Sequence, residues 1–194
     1  TWDGSVTVTS DIDVYSTKRT IIGGSFNEHK GIQGDPGAND LAQSFFYPFY
    51  ATSSAAGSQE WILVGNPDAS LTANVNITVG STVNQNYTIA PGAKITPKWG
   101  TIDGPVTVTS DIDVYSTKRT LLNGSFNEHK GIVTADHSTS IHYPFYATST
   151  ALKAQDWILV GNPSVDTNAN VNIKVGGIID QNYVLTPGQI ITPK

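Results

Sequence analysis

The sequence predicts an all-β protein made of two tandem antiparallel β-sandwich domains of the Ig-like kind, arranged end to end. Three observations predict this fold: a duplicated chain, short stretches that alternate apolar and polar residues, and frequent turn residues. Residues 1–32 match residues 101–132 at 27 of 32 positions, since only positions 2, 5, 21, 22 and 23 differ. The duplication divides the 194 residues into repeats 1–98 and 99–194, each of a size that suits one domain.

The rest of each repeat returns at a shorter offset. YPFYATS at 47–53 recurs at 143–149, and WILVGNP at 61–67 recurs at 157–163, so the offset falls from 100 to 96. The first copy therefore carries four extra residues, in a Gly-, Pro- and Asp-rich stretch that follows Ile32. Because surface loops tolerate insertions, the mismatch predicts a loop there.

The duplicated opening stretch predicts a half-buried strand followed by a hairpin. Apolar residues of one parity alternate with Thr and Asp of the other, which is the period of a strand with one wet face. Gly23-Gly24, or Asn123-Gly124 in the second copy, suits a two-residue hairpin turn, because both turn positions need positive φ. SFNEHKG then predicts the returning strand. The apolar residues of the first strand are Val6, Val8, Ile12 and Val14.

Later segments of each repeat also predict strands. SFFYPFYAT is aromatic, and Pro48 within it belongs at an edge or a bulge because proline cannot donate to the ladder. WILVGNP is apolar on both parities, which predicts a central strand covered on both faces. ANVNITV alternates, NYTIAPG ends at a Pro-Gly turn, and KITPK closes the unit.

The junction between the repeats is short. Residues 99–104 are too few for a flexible linker, which predicts a fixed orientation of the two units with Trp99 packed at their interface. ITPK occurs before the junction and again at 191–194, and the first residues resemble the entry into the second repeat. Two hypotheses follow: a second molecule reproduces the internal junction, or the N-terminal strand pairs into a neighbouring subunit. A start at Thr1 rather than Met suggests processing or a window of a longer protein.

Composition argues against several classes of function. Charged residues make up 14% of the chain and the net charge is −5, so no basic surplus favours nucleic acid or an anionic membrane. No apolar run is long enough to predict a membrane span. Cysteine and methionine are both absent, which excludes disulfides and cysteine-based sites and fits an exposed extracellular protein.

The motifs GPVTVTSD, GSFNEHKG, YPFYATS, WILVGNP and Pro-Gly followed by ITPK together resemble a repeat of prokaryotic cell-surface proteins. Such repeats are generally tandem β-sandwich modules, similar in role to surface-layer and adhesin-stalk modules. The resemblance covers nearly the whole chain. It implies an extracellular, cell-surface location and a scaffold or adhesive role, and it brings no active site with it.

Acidic residues spaced two apart raise the question of a Ca²⁺ site. Ca²⁺ takes about six to eight oxygen ligands, and the sequence contains neither an EF-hand loop nor an RTX-type repeat. We interpret these residues instead as a solvated strand face that discourages edge-to-edge pairing. They are Asp11, Asp13, Asp111 and Asp113, with Asp35 and Asp40 in the first-copy loop.

Glutamate–histidine neighbours in both copies of SFNEHKG suggest acid–base chemistry or metal binding. Adjacent residues on a strand point to opposite faces, which argues against joint action. Two further histidines occur in the second copy alone, so they cannot form a site common to both repeats. We predict ordinary polar residues here, and no catalytic, cofactor-binding or metal residue. The residues concerned are Glu28, His29, Glu128, His129, His137 and His142.

Lysine, asparagine and glutamate recur in each repeat in a combination that suggests an isopeptide crosslink, an alternative that adjacency in the fold would decide. The candidate sets are Lys18, Glu28 and Asn86, and Lys118, Glu128 and Asn182. An intact mass lower by one ammonia per repeat would reveal such a bond.

Large aromatic residues suggest either a core or a sugar-stacking platform, and the size of each repeat favours the core. They are Tyr47, Phe49, Tyr50 and Trp61, with Tyr143, Phe145, Tyr146 and Trp157 in the second copy. Asn76, Asn86 and Asn123 stand in glycosylation sequons, none of which exists in both copies.

The sequence therefore favours an extracellular structural protein over an enzyme. We expect it to assemble with itself, head to tail, into a filament, surface layer or stalk, with contacts between subunits near the repeat junction. The alternative is an adhesin module that binds carbohydrate or another cell's surface, with surface glycans as partners. No cofactor, nucleic acid or membrane span is expected.

Overall fold

The computed structural model describes residues 8–9, 16–22, 25–33, 40–53, 57–144, 146, 148–149 and 154–193. The described residues are all-β with antiparallel sheets, as the sequence predicts, and contain no α-helix. A short 3-10 turn covers Thr134–Asp136.

Within the described residues, fifteen strands follow one another along the chain. They are β1 (Thr17–Ile22), β2 (Ser25–Lys30), β3 (Ala42–Ala51), β4 (Ser58–Gly65), β5 (Ala73–Val79), β6 (Val83–Ile89), β7 (Lys94–Ile95), β8 (Asp103–Leu122), β9 (Ser125–Lys130), β10 (Thr148–Ser149), β11 (Ala154–Gln155), β12 (Val160–Gly161), β13 (Ala169–Val175), β14 (Ile179–Leu185) and β15 (Ile190–Ile191).

The chain forms two compact units that do not coincide with the sequence repeats. Unit 1 comprises Thr1–His137 and unit 2 comprises Ser138–Lys194. The division lies at 137/138, whereas the repeats meet at 98/99. The opening block of the second repeat therefore belongs to the same compact unit as the body of the first.

Strand β8 is the centre of unit 1. Its first part pairs with β5 on one edge and β3 on the other, and its second part pairs with β4 and β9. The path through the sheet runs β6-β5-β8-β4-β7, with β3 and β9 also on β8. Strands β3 to β7 come from the first sequence repeat and β8 comes from the second, so the sheet crosses the repeat boundary.

The core of unit 1 lies against β8. Alternation along β8 buries Val106, Val108 and Val114, while Thr109 and Asp111 face solvent. This is the period-two pattern expected for the opening stretch, seen here in its second copy. The buried core also includes Phe45, Tyr47, Tyr50, Ile62, Val64, Ala73, Val75, Ile77, Val79, Val83, Ile89 and Val133.

Several local predictions are confirmed. Asn123 and Gly124 have φ of 47° and 83° and form the turn between β8 and β9. Pro48 lies within a register shift of the β3–β8 pairing, between Tyr47 and Tyr50, as expected for a residue that cannot donate. WILVG forms most of β4, which pairs on both edges. Of its WILV side chains, however, only Ile62 and Val64 are buried while Trp61 and Leu63 stay partly exposed, so the predicted cover on both faces is not seen.

Trp99 lies within unit 1. Its ring contacts Tyr50 edge-on, with centroids 5.7 Å apart, and its Nε1 donates to Gln85 Oε1 at 2.9 Å. The residues between the repeats, where the sequence predicts a junction between domains, therefore pack inside one compact unit.

The hairpin β1–β2 is also part of unit 1. It pairs from Thr17↔Lys30 to Ile22↔Ser25, with the same register as β8 and β9. Lys18 Nζ lies 3.0 Å from Glu128 Oε2, and Asn27 Nδ2 donates to Asn127 Oδ1 at 3.0 Å. These side chains attach the first copy of the hairpin to the second.

Unit 2 contains two principal strand pairs. Strands β13 and β14 form a hairpin, and β12 pairs with β15. These pairs match β5–β6 and β4–β7 of unit 1 at the offset of 96. Within the part of unit 2 that the structure describes, only Asn162 and Leu185 are buried.

Candidate assembly site

The place that β8 occupies in unit 1 is the candidate functional site, because a strand from one sequence repeat binds there to the body of another. A buried ion pair lies at its centre. Lys118 Nζ of β8 lies 3.1 Å from Glu60 Oε1 of β4 and donates to the carbonyl of Phe49 at 2.6 Å. Thr120 Oγ1 and the backbone N–H of Ala51 also donate to this carboxylate, at 2.8 and 2.6 Å.

This arrangement satisfies two charges that are almost fully removed from water. Glu60 is 4% exposed and Lys118 is 7% exposed. Buried charges are tolerated when they are paired and hydrogen-bonded, and removing one partner leaves the other uncompensated. The pair therefore requires β8 to lie in one register on β4.

Tyrosine hydroxyls of β3 add further polar contacts. Tyr47 and Ser116 of β8 share a hydrogen bond of 2.7 Å, and burial raises the pKa of Tyr47 despite this bond. Tyr50 donates to the carbonyl of Glu60 at 3.0 Å and accepts from the N–H of Trp99 at 3.1 Å. Both rings are fully buried, so they serve the core and not a sugar platform.

Close backbone approach also fixes β8 on β4. Gly65 of β4 lies opposite Tyr115. A Cβ built at Gly65 would lie 1.9 Å from Cζ of that ring, so a side chain would require the ring to move. Gly161 holds the corresponding position in unit 2 and is exposed.

Glu28 and Glu128 occupy different environments although their neighbours in sequence are identical. Glu28 is exposed and accepts from Arg19 and Thr17. Glu128 is buried and accepts from Lys18, Arg119 and Thr117. Burial raises the pKa of Glu128, but the hydrogen bond and charge of Lys18, together with Arg119, outweigh it and hold the pKa below its usual value.

Acidic residues that suggested a cation site are engaged in structural contacts. Asp111 accepts from the backbone and side-chain nitrogens of Asn74, at 2.8 and 2.7 Å, and these bonds lower its pKa. Burial raises the pKa of Asp40. The opposite effects of Lys130, whose Nζ lies 2.7 Å from Oδ1, and of the N–H of Gln33 are together larger, so the pKa of Asp40 lies below its usual value. Asp11, Asp13 and Asp35 lie outside the described residues.

No cluster of three or more acidic or histidine side chains suited to a metal occurs in the described parts of the chain. His129 contacts the ring of Tyr47, and His137 contacts Phe46. His142 Nε2 lies 3.1 Å from Ser140 Oγ. His29 Nε2 is buried without a hydrogen bond, 3.9 Å from Glu128.

Within the described part of unit 1, the lysines of the isopeptide hypothesis bind carboxylates and not Asn86. Lys118 binds Glu60 and Phe49, while Asn86 lies on the exposed side of β6 and accepts from Asn76 at 2.8 Å. Asn182 accepts from Asn172 in the same way. The sequons at Asn76 and Asn86 therefore lie on one polar surface of unit 1.

The surface of unit 2 that corresponds to the β8 site is partly exposed. We call it the open face, and it is formed by Tyr143, Ile158, Val160, Val171, Ile173 and Val175. The unit 1 residues at the same positions in the repeat are buried. Tyr143, for example, is 61% exposed, whereas Tyr47 is 1% exposed.

One turn of unit 2 nevertheless has the same hydrogen bonds as its counterpart in unit 1. Asn162 Nδ2 donates to the carbonyls of Thr167 and Leu185, at 2.8 and 3.0 Å. Asn66 makes the same bonds to Leu71 and Ile89, at 2.7 and 3.0 Å. The open face therefore lies beside a turn that both units share, and within the described residues no strand equivalent to β8 pairs with β12 or β13.

Sequence reasoning did not identify Glu60 or Asn66 as important. The available signal for Glu60 was that a carboxylate stands directly before WILV in both copies, as Asp156 in the second. The signal for Asn66 was that an asparagine stands before proline in both copies, as Asn162 in the second, but this pattern by itself predicts only the end of a strand.

Comparison with known proteins gives little further guidance. No protein-family model matches the chain, and no curated protein matches it. Among solved structures, the chain is similar to the crystal structure of Thermotoga maritima 1070, at 15% identity and a TM-score of 0.37. The similarity covers 47% of this chain and 93% of that one. In the part of the chain that the structure describes, no helix is long and apolar enough to cross a membrane.

Proposed function

We propose that this protein is an extracellular structural protein that assembles with itself, head to tail, into a filament, surface layer or stalk. One observation carries the proposal: β8, which opens the second repeat, is the central strand of a sheet in which β3 to β7 come from the first repeat. A module completed by the next repeat links successive repeats through a folded core. Such a linkage suits a load-transmitting array of sandwich units placed end to end.

The character of the site also favours a structural role over a catalytic one. Its polar residues bind one another: Glu60 with Lys118, and Tyr47 with Ser116. These groups are buried and bound to one another, and they hold a strand in register. We therefore propose assembly and not catalysis.

Sedimentation velocity over a wide range of protein concentration, with electron microscopy of the same samples, tests this function. We expect species that grow with concentration and appear as linear or sheet-like assemblies. A monodisperse monomer at every concentration would contradict the proposal.

Carbohydrate binding is a second candidate, favoured by one surface. An open groove on the outer side of β5, β6 and β8 is lined by amide and hydroxyl side chains, among them those of Asn74, Asn76, Asn86, Thr88 and Thr109. Side chains of this kind can bind sugar hydroxyls. Glycan-array binding that disappears in Asn76→Ala would support this role, and the absence of binding to any glycan would remove it.

A further inference from the structure

The open face of unit 2 matches a surface whose occupant is visible in unit 1. There, β8 contributes Val106, Val108 and Val114 to the core and Lys118 to the buried ion pair. The same chain carries a second copy of this strand, residues 3–22, which is identical to 103–122 at 17 of 20 positions because only positions 5, 21 and 22 differ.

Every β8 residue that the core of unit 1 uses is retained in the first copy. The retained residues are Val6, Val8, Val14, Ser16 and Lys18, in place of Val106, Val108, Val114, Ser116 and Lys118. Val8 is 61% exposed, whereas Val108 is fully buried. The same strand sequence therefore has its valine buried where β8 joins a sheet and exposed in the first copy.

One edge of β1 has no strand partner among the residues that the structure describes. Among the described residues, β1 pairs with β2 alone, whereas the corresponding part of β8 pairs with β9 on one edge and β4 on the other. The contacts from Lys18 and Asn27 to β9 fix β1–β2 to its own unit 1. The hairpin is therefore already formed and presents an edge that a further strand can join.

We propose that residues 3–30 of a second copy of this chain complete unit 2 by strand addition, in the register that β8 has in unit 1. The inference rests on the proposed function and specifies its contact. Shifting the unit 1 pairs by the repeat offsets places Val8 opposite Ile173 and Thr9 opposite Asn172. Tyr15 then lies over Gly161, as Tyr115 lies opposite Gly65 in unit 1.

The assignment to a second copy follows from the first-copy hairpin being held on unit 1. Each chain then offers one strand and one open face, and the two surfaces are different. A heterologous contact of this kind continues as an open linear array unless its rotation closes a ring. Main-chain hydrogen bonds supply affinity, and the alternate pockets for Val6, Val8 and Val14 supply the register.

Engineered disulfides test the contact directly, because the chain contains no cysteine. The test variant carries Thr9→Cys and Asn172→Cys at two exposed positions. Directly opposed residues of an antiparallel pair have Cα atoms about 4.5–5.5 Å apart, which a disulfide can bridge. We expect a ladder of covalent dimers and higher oligomers under mild oxidation.

Matched variants within the same chain serve as controls. Thr109→Cys with Asn76→Cys should crosslink inside one molecule, because these residues are opposed in unit 1. Thr109→Cys with Asn172→Cys should not crosslink. Mixing the single variants Thr9→Cys and Asn172→Cys should give a disulfide-linked heterodimer and no larger covalent species. Adding Val8→Asp to the Thr9→Cys variant should abolish this heterodimer.

The outcomes separate this inference from the proposed function. Crosslinking of Thr9→Cys with Asn172→Cys within single molecules alone would overturn the second copy as the occupant. Assemblies in sedimentation without a disulfide between positions 9 and 172, while the unit 1 control crosslinks, would overturn the inference and leave the proposed function standing. A monomer that forms no intermolecular link would contradict both.

Discussion

The turns that follow WILVGN in the two units contain the same asparagine hydrogen bonds, yet the apolar residues beside them are buried in unit 1 and partly exposed in unit 2. Ile62 and Val64 are fully buried, whereas Ile158 and Val160 are only partly covered. In unit 1 this surface is paired with β8, whereas no described strand pairs with it in that way in unit 2. Local sequence therefore determines the hairpins and turns, while burial of the core depends on a strand from the next repeat.

The largest expected effect comes from placing a charge in the central strand. Val108→Asp would bury an unpaired carboxylate in the core of unit 1, which should cost at least about 4 kcal/mol and unfold the unit. Val8→Asp, at the matching exposed position, should leave the stability of unit 1 unchanged and prevent assembly. Chemical denaturation followed by circular dichroism measures both, and an equal loss in the two variants would contradict the comparison.

The buried ion pair should be the next most sensitive feature. Glu60→Gln leaves the Lys118 ammonium without its carboxylate and should destabilise unit 1 by about 3–5 kcal/mol. Adding Lys118→Met should recover part of this loss, because no buried charge then remains. Glu28→Gln, on the exposed hairpin, is the matched control and should give no measurable change in the urea midpoint.

Acid should destabilise unit 1 through Glu128. Its pKa is lower in the folded state than in the unfolded chain, so its contribution is fully present above the unfolded value of about 4.3. That contribution is lost as the pH falls through the folded pKa. Glu128→Gln should lower the unfolding free energy at neutral pH and flatten its dependence on pH below about 5. A slope equal to that of the parent chain would show that Glu128 does not carry this effect.

The smallest expected effect concerns one hydrogen bond. Tyr47→Phe removes the bond to buried Ser116 and should cost about 1 kcal/mol in unit 1. Tyr143→Phe, at the matching exposed position, should change nothing in dilute solution. A comparable loss from both substitutions would mean that Tyr143 is buried in a similar way.

The strands themselves were predictable from sequence, because alternation depends on neighbours along the chain. Val106, Val108 and Val114 show the parity expected for the opening stretch, and Pro48 lies in a bulge. The Asn123-Gly124 turn was likewise predictable, because only residues tolerant of positive φ fit it.

The choice of partners for these strands was not predictable from the repeat. A tandem repeat has the same period wherever its boundary is drawn, so the duplication could not show that β8 belongs with β3 to β7. The boundary follows from pairing across the sheet, such as Ile77↔Val108, and from the buried contact between Glu60 and Lys118. Both join residues far apart in sequence, and periodicity carries no information about them.

Hydrogen exchange measured by mass spectrometry on β5 and β13 tests the central claim most directly. Strand β5 pairs with β6 and β8, whereas β13 pairs with β14 alone among the described residues. In dilute solution, we predict that amides throughout Ala73–Val79 are protected and that the amides of Ala169–Val175 on the edge away from β14 exchange rapidly. These amides of Ala169–Val175 should become protected as the protein concentration rises. Equal protection of the two strands at a dilution where the chain is monomeric would contradict the claim.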